Sequence, residues 1–211
     1  PPLIFGVAFG NLLQGVPFRF DDYLMPTYSG SFWALLNPFA LLAGVVSSAM
    51  ITLQGATYLA HRTEAQIQRR AVVAGVGAAL VMVVAFVAAG LWLQGMEGYR
   101  ISSAVQTAAL PDPLSKTVVR EPGAWMANYA AWPALWALPA LGVAGALAAA
   151  ALLAARRTLS AFVASSLAVV GVIGTAGASM FPFVMPSSTH LASSLTVWDS
   201  VSSHLTLGIM F

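Results

Sequence analysis

Four uninterrupted apolar runs divide the chain, over residues 38–59, 71–93, 134–155 and 159–181, and none of them holds a charged side chain. Each is about 22 residues long, which at 1.5 Å per residue makes a helix of about 33 Å, enough to cross the hydrocarbon layer of a bilayer. Two further apolar runs, residues 3–16 and the stretch that closes the chain at 211, are too short to span and read as parts of longer helices. The pattern therefore predicts an all-α fold, a polytopic transmembrane helix bundle with four complete spans and two partial ones. Residues 1–211 are expected to form a single integral-membrane domain that is an internal fragment of a longer chain.

Composition strengthens this picture. Hydrophobic residues make up 59% of the 211 and charged residues 8%, against about 25% charged in a soluble domain. A water-soluble fold of this size could not hide so much apolar surface, whereas lipid removes the need to. The formal net charge of +2 comes with no dense basic cluster, so a nucleic-acid partner is not expected. With no cysteine in the sequence, disulfides, thiolate metal sites and iron–sulfur ligation are excluded for this stretch.

The charges that remain are asymmetric. The turns at 61–70 and 156–157 carry Arg62, Arg69, Arg70, Arg156 and Arg157 against Glu64 alone. The other connections hold Arg19, Arg100, Lys116 and Arg120 against Asp21, Asp22, Glu97, Asp112, Glu121 and Asp199. The positive-inside rule places the Arg-rich turns in the cytoplasm and the long connections outside. Trp33, Trp92, Trp125, Trp132, Trp136 and Trp198 all fall in or beside those outer connections, as an interfacial belt would require, or because some of them pack beneath the longest loop. That loop, residues 94–133, is the main extracytoplasmic element, and residues 117–131 within it are expected to form a short helix lying on the membrane.

Helix contacts are expected where small residues recur. Gly6 and Gly10 are four apart, and Gly171, Gly174 and Gly177 recur every third residue along one span; such positions let helix backbones approach closely in lipid. Gly142 and Gly145 repeat the spacing on another span. Candidate chemistry is sparse. No span carries an acid, so no internal proton relay is visible. Asp199 fits a first-turn helix cap or, alternatively, the entrance of a proton path. His61 ends a span, His190 lies in a loop, and His204 opens the last apolar run; His204 is the least implausible haem ligand of the three, because a haem wants its axial histidine in an apolar slot. Met50, Met82 and Met180 read as core filler. No metal-ligand spacing, phosphate loop or nucleophile triad is present, and no catalytic residue is expected in this chain.

Longer motifs run through the whole chain: FGVAFGNLLQGVPF from Phe5, LLNPFALLAGVVS from Leu35, QGATYL from Gln54, VVREPGAW from Val118, LWALPALGV from Leu135, MFPFVMPSST from Met180 and LTVWDSVSSHLTL from Leu195. In order and spacing they resemble subunit II of the bacterial cytochrome bd quinol oxidases. The resemblance implies a haem-free inner-membrane subunit built of two four-helix bundles and one extra helix, of which this chain would cover the end of the fourth helix to the start of the ninth. It implies a partner, subunit I, carrying the b and d haems and the quinol-oxidising loop, in a complex that oxidises quinol, reduces dioxygen to water and takes protons from the cytoplasm. It also allows a structural quinone held at residues this sequence does not identify, and small single-helix accessory subunits. The family's acid and tryptophan near the shared interface belong to an N-terminal part that has no counterpart here. A similar subunit II occurs in the cyanide-insensitive oxidases. Two readings of other classes are a secondary transporter, with 180–188 as a broken helix around a substrate, and a membrane scaffold without a respiratory role.

Overall fold

The computed structural model describes residues 1–104, 112–202 and 204–210. Helix α1 (Pro2–Gln14) leads into a hairpin of β1 (Phe18–Phe20) and β2 (Pro26–Tyr28) and a 3-10 turn at Trp33–Leu36. Next come the long helices α2 (Pro38–Arg62) and α3 (Ala65–Gly95), and an antiparallel pair formed by β3 (Glu97–Ile101) and β4 (Val118–Pro122). The short α4 (Ala127–Ala131) precedes a 3-10 turn at Pro133–Trp136, which runs straight into α5 (Ala137–Ala154). Then follow α6 (Thr158–Met180), the paired β5 (Phe183–Met185) and β6 (Leu195–Thr196), and the short helices α7 (Val197–Ser200) and α8 (His204–Met210).

Four helical segments, Pro38–Arg62, Ala65–Gly95, Pro133–Ala154 and Thr158–Met180, are long and apolar enough to cross a membrane. They form two antiparallel hairpins, α2 with α3 and α5 with α6, laid side by side so that α3 meets α5 and α2 meets α6. The shared core is mostly alanine, Ala49, Ala79, Ala146, Ala149, Ala161 and Ala168 among others, with Met50, Leu53, Met82 and Leu153 as its large members. Small side chains suit a bundle in lipid, where association depends on close packing rather than on escape from water. The outward faces carry the bulk instead: Val73, Val84, Leu91, Val170 and Ile173 are exposed. Helix α1 packs along α2.

The elements depart from the expected boundaries in two places. Helices α2 and α3 extend well past the apolar runs, so the Arg-rich turn shrinks to Thr63 and Glu64. With 31 residues, α3 is about 46 Å long against a hydrocarbon layer of ~30 Å. Its first turns therefore carry Arg69 and Arg70 out beyond the apolar layer. The short helix expected over 117–131 is also corrected, since Val118–Pro122 is a strand and only Ala124–Ala131 is helical. Paired β-branched residues favour the strand, and Gly123, at φ +72°, supplies the left-handed turn that ends it. Residues 105–111 of the long loop lie outside the described residues.

Candidate functional site

The two ends of the bundle differ, and the polar chemistry gathers at the end bearing the long connections. Its centre is a cluster of Leu13, Phe39, Leu93, Tyr99, Val118, Trp125, Met180 and Phe183. Tyr99, Trp125 and Phe183 pack with ring centroids 5.7 to 6.3 Å apart. The cluster also closes α1. A helix leaves its last carbonyls without intrahelical partners. Here Trp125 Nε1 donates to the Leu13 carbonyl at 3.1 Å, and Tyr99 Oη donates to the Gln14 carbonyl at 3.1 Å. Gly15 follows at φ +90°, where the Tyr99 ring lies against its backbone and leaves no space for a Cβ. The guanidinium of Arg120 stands 5.2 Å from the Tyr99 ring centroid. Burial, which strips water from the phenolate, raises the pKa of Tyr99 above the ordinary tyrosine value, with the Arg120 charge pulling the other way. Tyr129 is raised for the same first reason, against hydrogen bonds with Ser179 and Thr175.

A buried ion pair fastens the long loop to the segment before α8. Lys116 Nζ lies 2.8 Å from Asp199 Oδ2, and the two side chains are only 8% and 9% exposed. Lys116 also donates to the Pro113 carbonyl at 2.7 Å. Asp199 is the N3 residue of a capping box: the same oxygen accepts from the Thr196 amide at 2.8 Å and the Thr196 hydroxyl at 2.6 Å. The carboxylate is thus built into the structure on several sides. Lys116 did not stand out in the sequence, although it is the single lysine of the chain.

A second polar cluster lies within the bundle. Ser165 Oγ donates to Gln54 Oε1 at 2.6 Å, Gln54 Nε2 donates to Ser166 Oγ at 2.9 Å, and the Thr57 and Ser165 hydroxyls are 2.9 Å apart. It ties α2 to α6 and contains no titratable group. Nearer the loop-bearing end, Asn37 caps α2 by accepting from the Ala40 amide at 2.8 Å and donates to Asn11 Oδ1 at 3.0 Å.

The singled-out glycines differ in their surroundings. A Cβ at Gly6 would lie 2.6 Å from Gly44 Cα, and one at Gly10 would lie 2.6 Å from Ala40 Cα, so both sit directly against α2. At Gly171 it would strike the Gly142 backbone, with Gly142 Cα at 2.7 Å. At Gly174 it would meet only the mobile end of Leu138, at 2.9 Å. Gly177 corrects the expectation of a continuous contact face, because nothing lies within 4 Å of an added Cβ there. The face turns outward one helical turn before α6 ends.

Of the three histidines weighed as haem ligands, the side chains of two are described. His61 is exposed and bonded to Thr158 Oγ1 at 3.1 Å, and His190 is exposed and bonded to Ser193 Oγ at 2.9 Å. Neither lies in an apolar slot. His204 opens α8, and its side chain lies outside the described residues. Met50 and Met82 are buried in the alanine core and Met180 in the aromatic cluster. Among the described residues, no group of three or more His, Cys, Asp or Glu could hold a metal ion. The broken helix expected over 180–188 by the transporter reading is absent: α6 ends at Met180, and Phe183–Met185 is a strand paired with β6.

Comparison with known proteins gives these features a context. Residues 1–211 match the family model for cytochrome bd terminal oxidase subunit II. Subunit 2 of the cytochrome bd-I ubiquinol oxidase of Escherichia coli strain K12 is 54% identical over 211 residues, covering all of this chain and 56% of that protein. A probable cytochrome oxidase subunit 2 of Haemophilus influenzae is 50% identical over 210 residues, again all of this chain and 56% of the relative. The chain thus spans a little over half the length of these relatives. It crosses the membrane several times, and it belongs to the cytochrome bd terminal oxidase subunit II family.

Proposed function

We propose that this chain is part of the haem-free subunit of a quinol:dioxygen oxidoreductase in the aerobic respiratory chain of a bacterium. It buries one side of a haem-bearing subunit I and bounds the routes by which protons and dioxygen reach the redox centres. The observation that carries this reading is the match of the whole chain to the subunit II family. When present in the complex, the b and d haems supply the electron transfer and oxygen chemistry. In this reading they belong to subunit I, and the residues here exclude water and hold helix positions.

The protein lies in the cytoplasmic membrane with the Arg-rich turns 61–70 and 156–157 on the cytoplasmic side, because five of the nine basic residues gather there against one of the seven acids. The long loop 94–133 and the aromatic cluster then face outward. Gly6, Gly10, Gly171 and Gly174 serve as packing residues, and Asp199 as a capping residue rather than a proton carrier. A structural quinone and single-helix accessory subunits fit the same assembly. Deleting the gene for this protein tests the function. Membranes should lose the quinol-dependent oxygen consumption that the complementing gene restores, and unaltered consumption in a strain with no other quinol oxidase would refute it.

A further inference from the structure

Connectivity leaves one dimension of the bundle unset. The turn between α2 and α3 is Thr63 and Glu64, and that between α5 and α6 is residues 155–157, so each hairpin holds its own two helices level. The hairpins themselves are joined by residues 96–136, a connection long enough to let one stand higher than the other. Alanine packing does not settle their relative height. On α6 the buried Ala161, Ala164 and Ala168 recur with each turn, as do Ala49, Leu53, Ala56 and Ala60 on α2. A slip of one turn therefore sets apolar residues against apolar residues again. Where α3 meets α5, Leu153 lies against Gly75 and Phe86 against Gly142, which are apolar pairs as well.

We propose that Gln54, Thr57, Ser165 and Ser166 form a register lock, which fixes the height of the α2–α3 hairpin against the α5–α6 hairpin. All four lie within helices long and apolar enough to cross the membrane. The Gln54 amide uses both of its polar atoms across the interface: Oε1 accepts from Ser165 at 2.6 Å, and Nε2 donates to Ser166 at 2.9 Å. The Thr57 hydroxyl, 2.9 Å from that of Ser165, completes the cluster, and both of these residues are fully buried. Seven residues along both helices, His61 meets Thr158 at 3.1 Å, on the same antiparallel register as Gln54 with Ser165. One turn up or down, Gln54 would face Ala161, Phe162, Ala168 or Val169. None of these side chains can bond its amide, and an amide left unpaired in hydrocarbon is costly. The wrong pairing is thus penalised as well as the right one favoured, which is how a single polar layer sets register in an apolar interface. The lock lies wholly between helices of this chain, so it acts whatever covers the outer faces of the bundle and whether or not the oxidase reading holds.

Cross-linking of the full-length protein, in its own membranes with the polypeptides that accompany it, tests the lock. This chain has no cysteine, and any elsewhere in the protein is replaced first. A short thiol cross-linker should join H61C to T158C in preference to H61C to F162C, one turn further along α6. Q54M keeps the length and packing of the side chain and removes its two bonds. At the strength of interhelical bonds in membrane bundles, two such bonds amount to about a tenfold preference. The ratio of the two cross-links should therefore fall about tenfold in Q54M, with helical content unchanged. Q54M should fold, because each hydroxyl has a carbonyl of its own helix in reach, that of Gln54 for Thr57 and that of Phe162 for Ser165 and Ser166. The double variant S165A/S166A, which removes the same bonds from the α6 side, should lower the ratio likewise. Trp125→Ala, in the aromatic cluster, should keep the wild-type ratio. An unchanged ratio in Q54M or in S165A/S166A would overturn the proposal, and so would a fall in Trp125→Ala, which would place the control of register outside the membrane-spanning helices.

Discussion

The alanine core of the bundle and the aromatic cap at its loop-bearing end solve different physical problems. Within the membrane the core of Ala79, Ala146, Ala161 and Ala168 gains by bringing backbones close, and its sensitivity is to added volume. In the cap, Trp125, Tyr99 and Phe183 fill the space between chain segments, and the hydrogen bonds of Trp125 and Tyr99 satisfy carbonyls that α1 leaves open. Its sensitivity is to lost volume and lost partners. One molecule therefore holds a region that resists enlargement beside one that resists truncation. The difference follows from whether helices or irregular segments are being joined.

Truncation of the cap should have the largest effect. Trp125→Ala removes a buried indole and the cap of the Leu13 carbonyl, and large aromatic deletions of this kind cost about 3–5 kcal/mol. Thermal unfolding in detergent should drop accordingly, with helical content at low temperature retained because the bundle does not depend on the indole. A loss of helicity at low temperature would erase the distinction between the regions. Next comes the ion pair. Lys116→Met leaves Asp199 buried without its cation, a change that costs about 3 kcal/mol where a buried pair is broken on one side. Proteolysis should then accelerate in the long loop first, and the double variant with Asp199→Asn should recover part of the loss.

Enlargement inside the bundle comes third. Gly171→Leu should cost about 2–3 kcal/mol by driving α5 from α6, whereas Gly174→Leu should cost less, because only the end of Leu138 must move. Equal melting temperatures for the two variants would show that this face is not in contact. The smallest effect is that of pH. Tyr99 has a raised pKa in the folded protein, so the neutral phenol is favoured there. Its contribution is complete below the ordinary tyrosine pKa of about 10 and is lost as pH rises through the higher folded value. Melting temperature measured from neutral pH into the alkaline range should fall at the top of that range, with a shallower fall in Tyr99→Phe.

How much of this was legible in the sequence differs between the same two regions. The four spans are readable because 20 consecutive apolar residues admit few alternatives, and the Gly6 and Gly171 contacts follow from helical spacing on one face. The cap was hidden because its partners are distant in sequence. Nothing local pairs Lys116 with Asp199 or Trp125 with the Leu13 carbonyl, and the tertiary strand pairing of Glu97–Ile101 with Val118–Pro122 overrode a helical reading of 117–131. Gly177 was misjudged for the opposite reason. Its periodicity continued the pattern of Gly171 and Gly174, yet periodicity assigns a face and not what lies opposite it. The motifs that carry the family resemblance fall on strand pairing, the aromatic cap and helix ends: VVREPGAW supplies the second strand and Trp125, LLNPFALL the Asn37 cap, and LTVWDS the capping box.

The central claim is that this chain is the scaffold beside the haems and not their holder. Visible absorption spectra of the separated subunits of the purified complex test it most directly. The account predicts that all haem absorbance stays with the partner and that this protein, once isolated and refolded in detergent, shows none on addition of haem; a stoichiometric haem spectrum retained by this protein alone would contradict it.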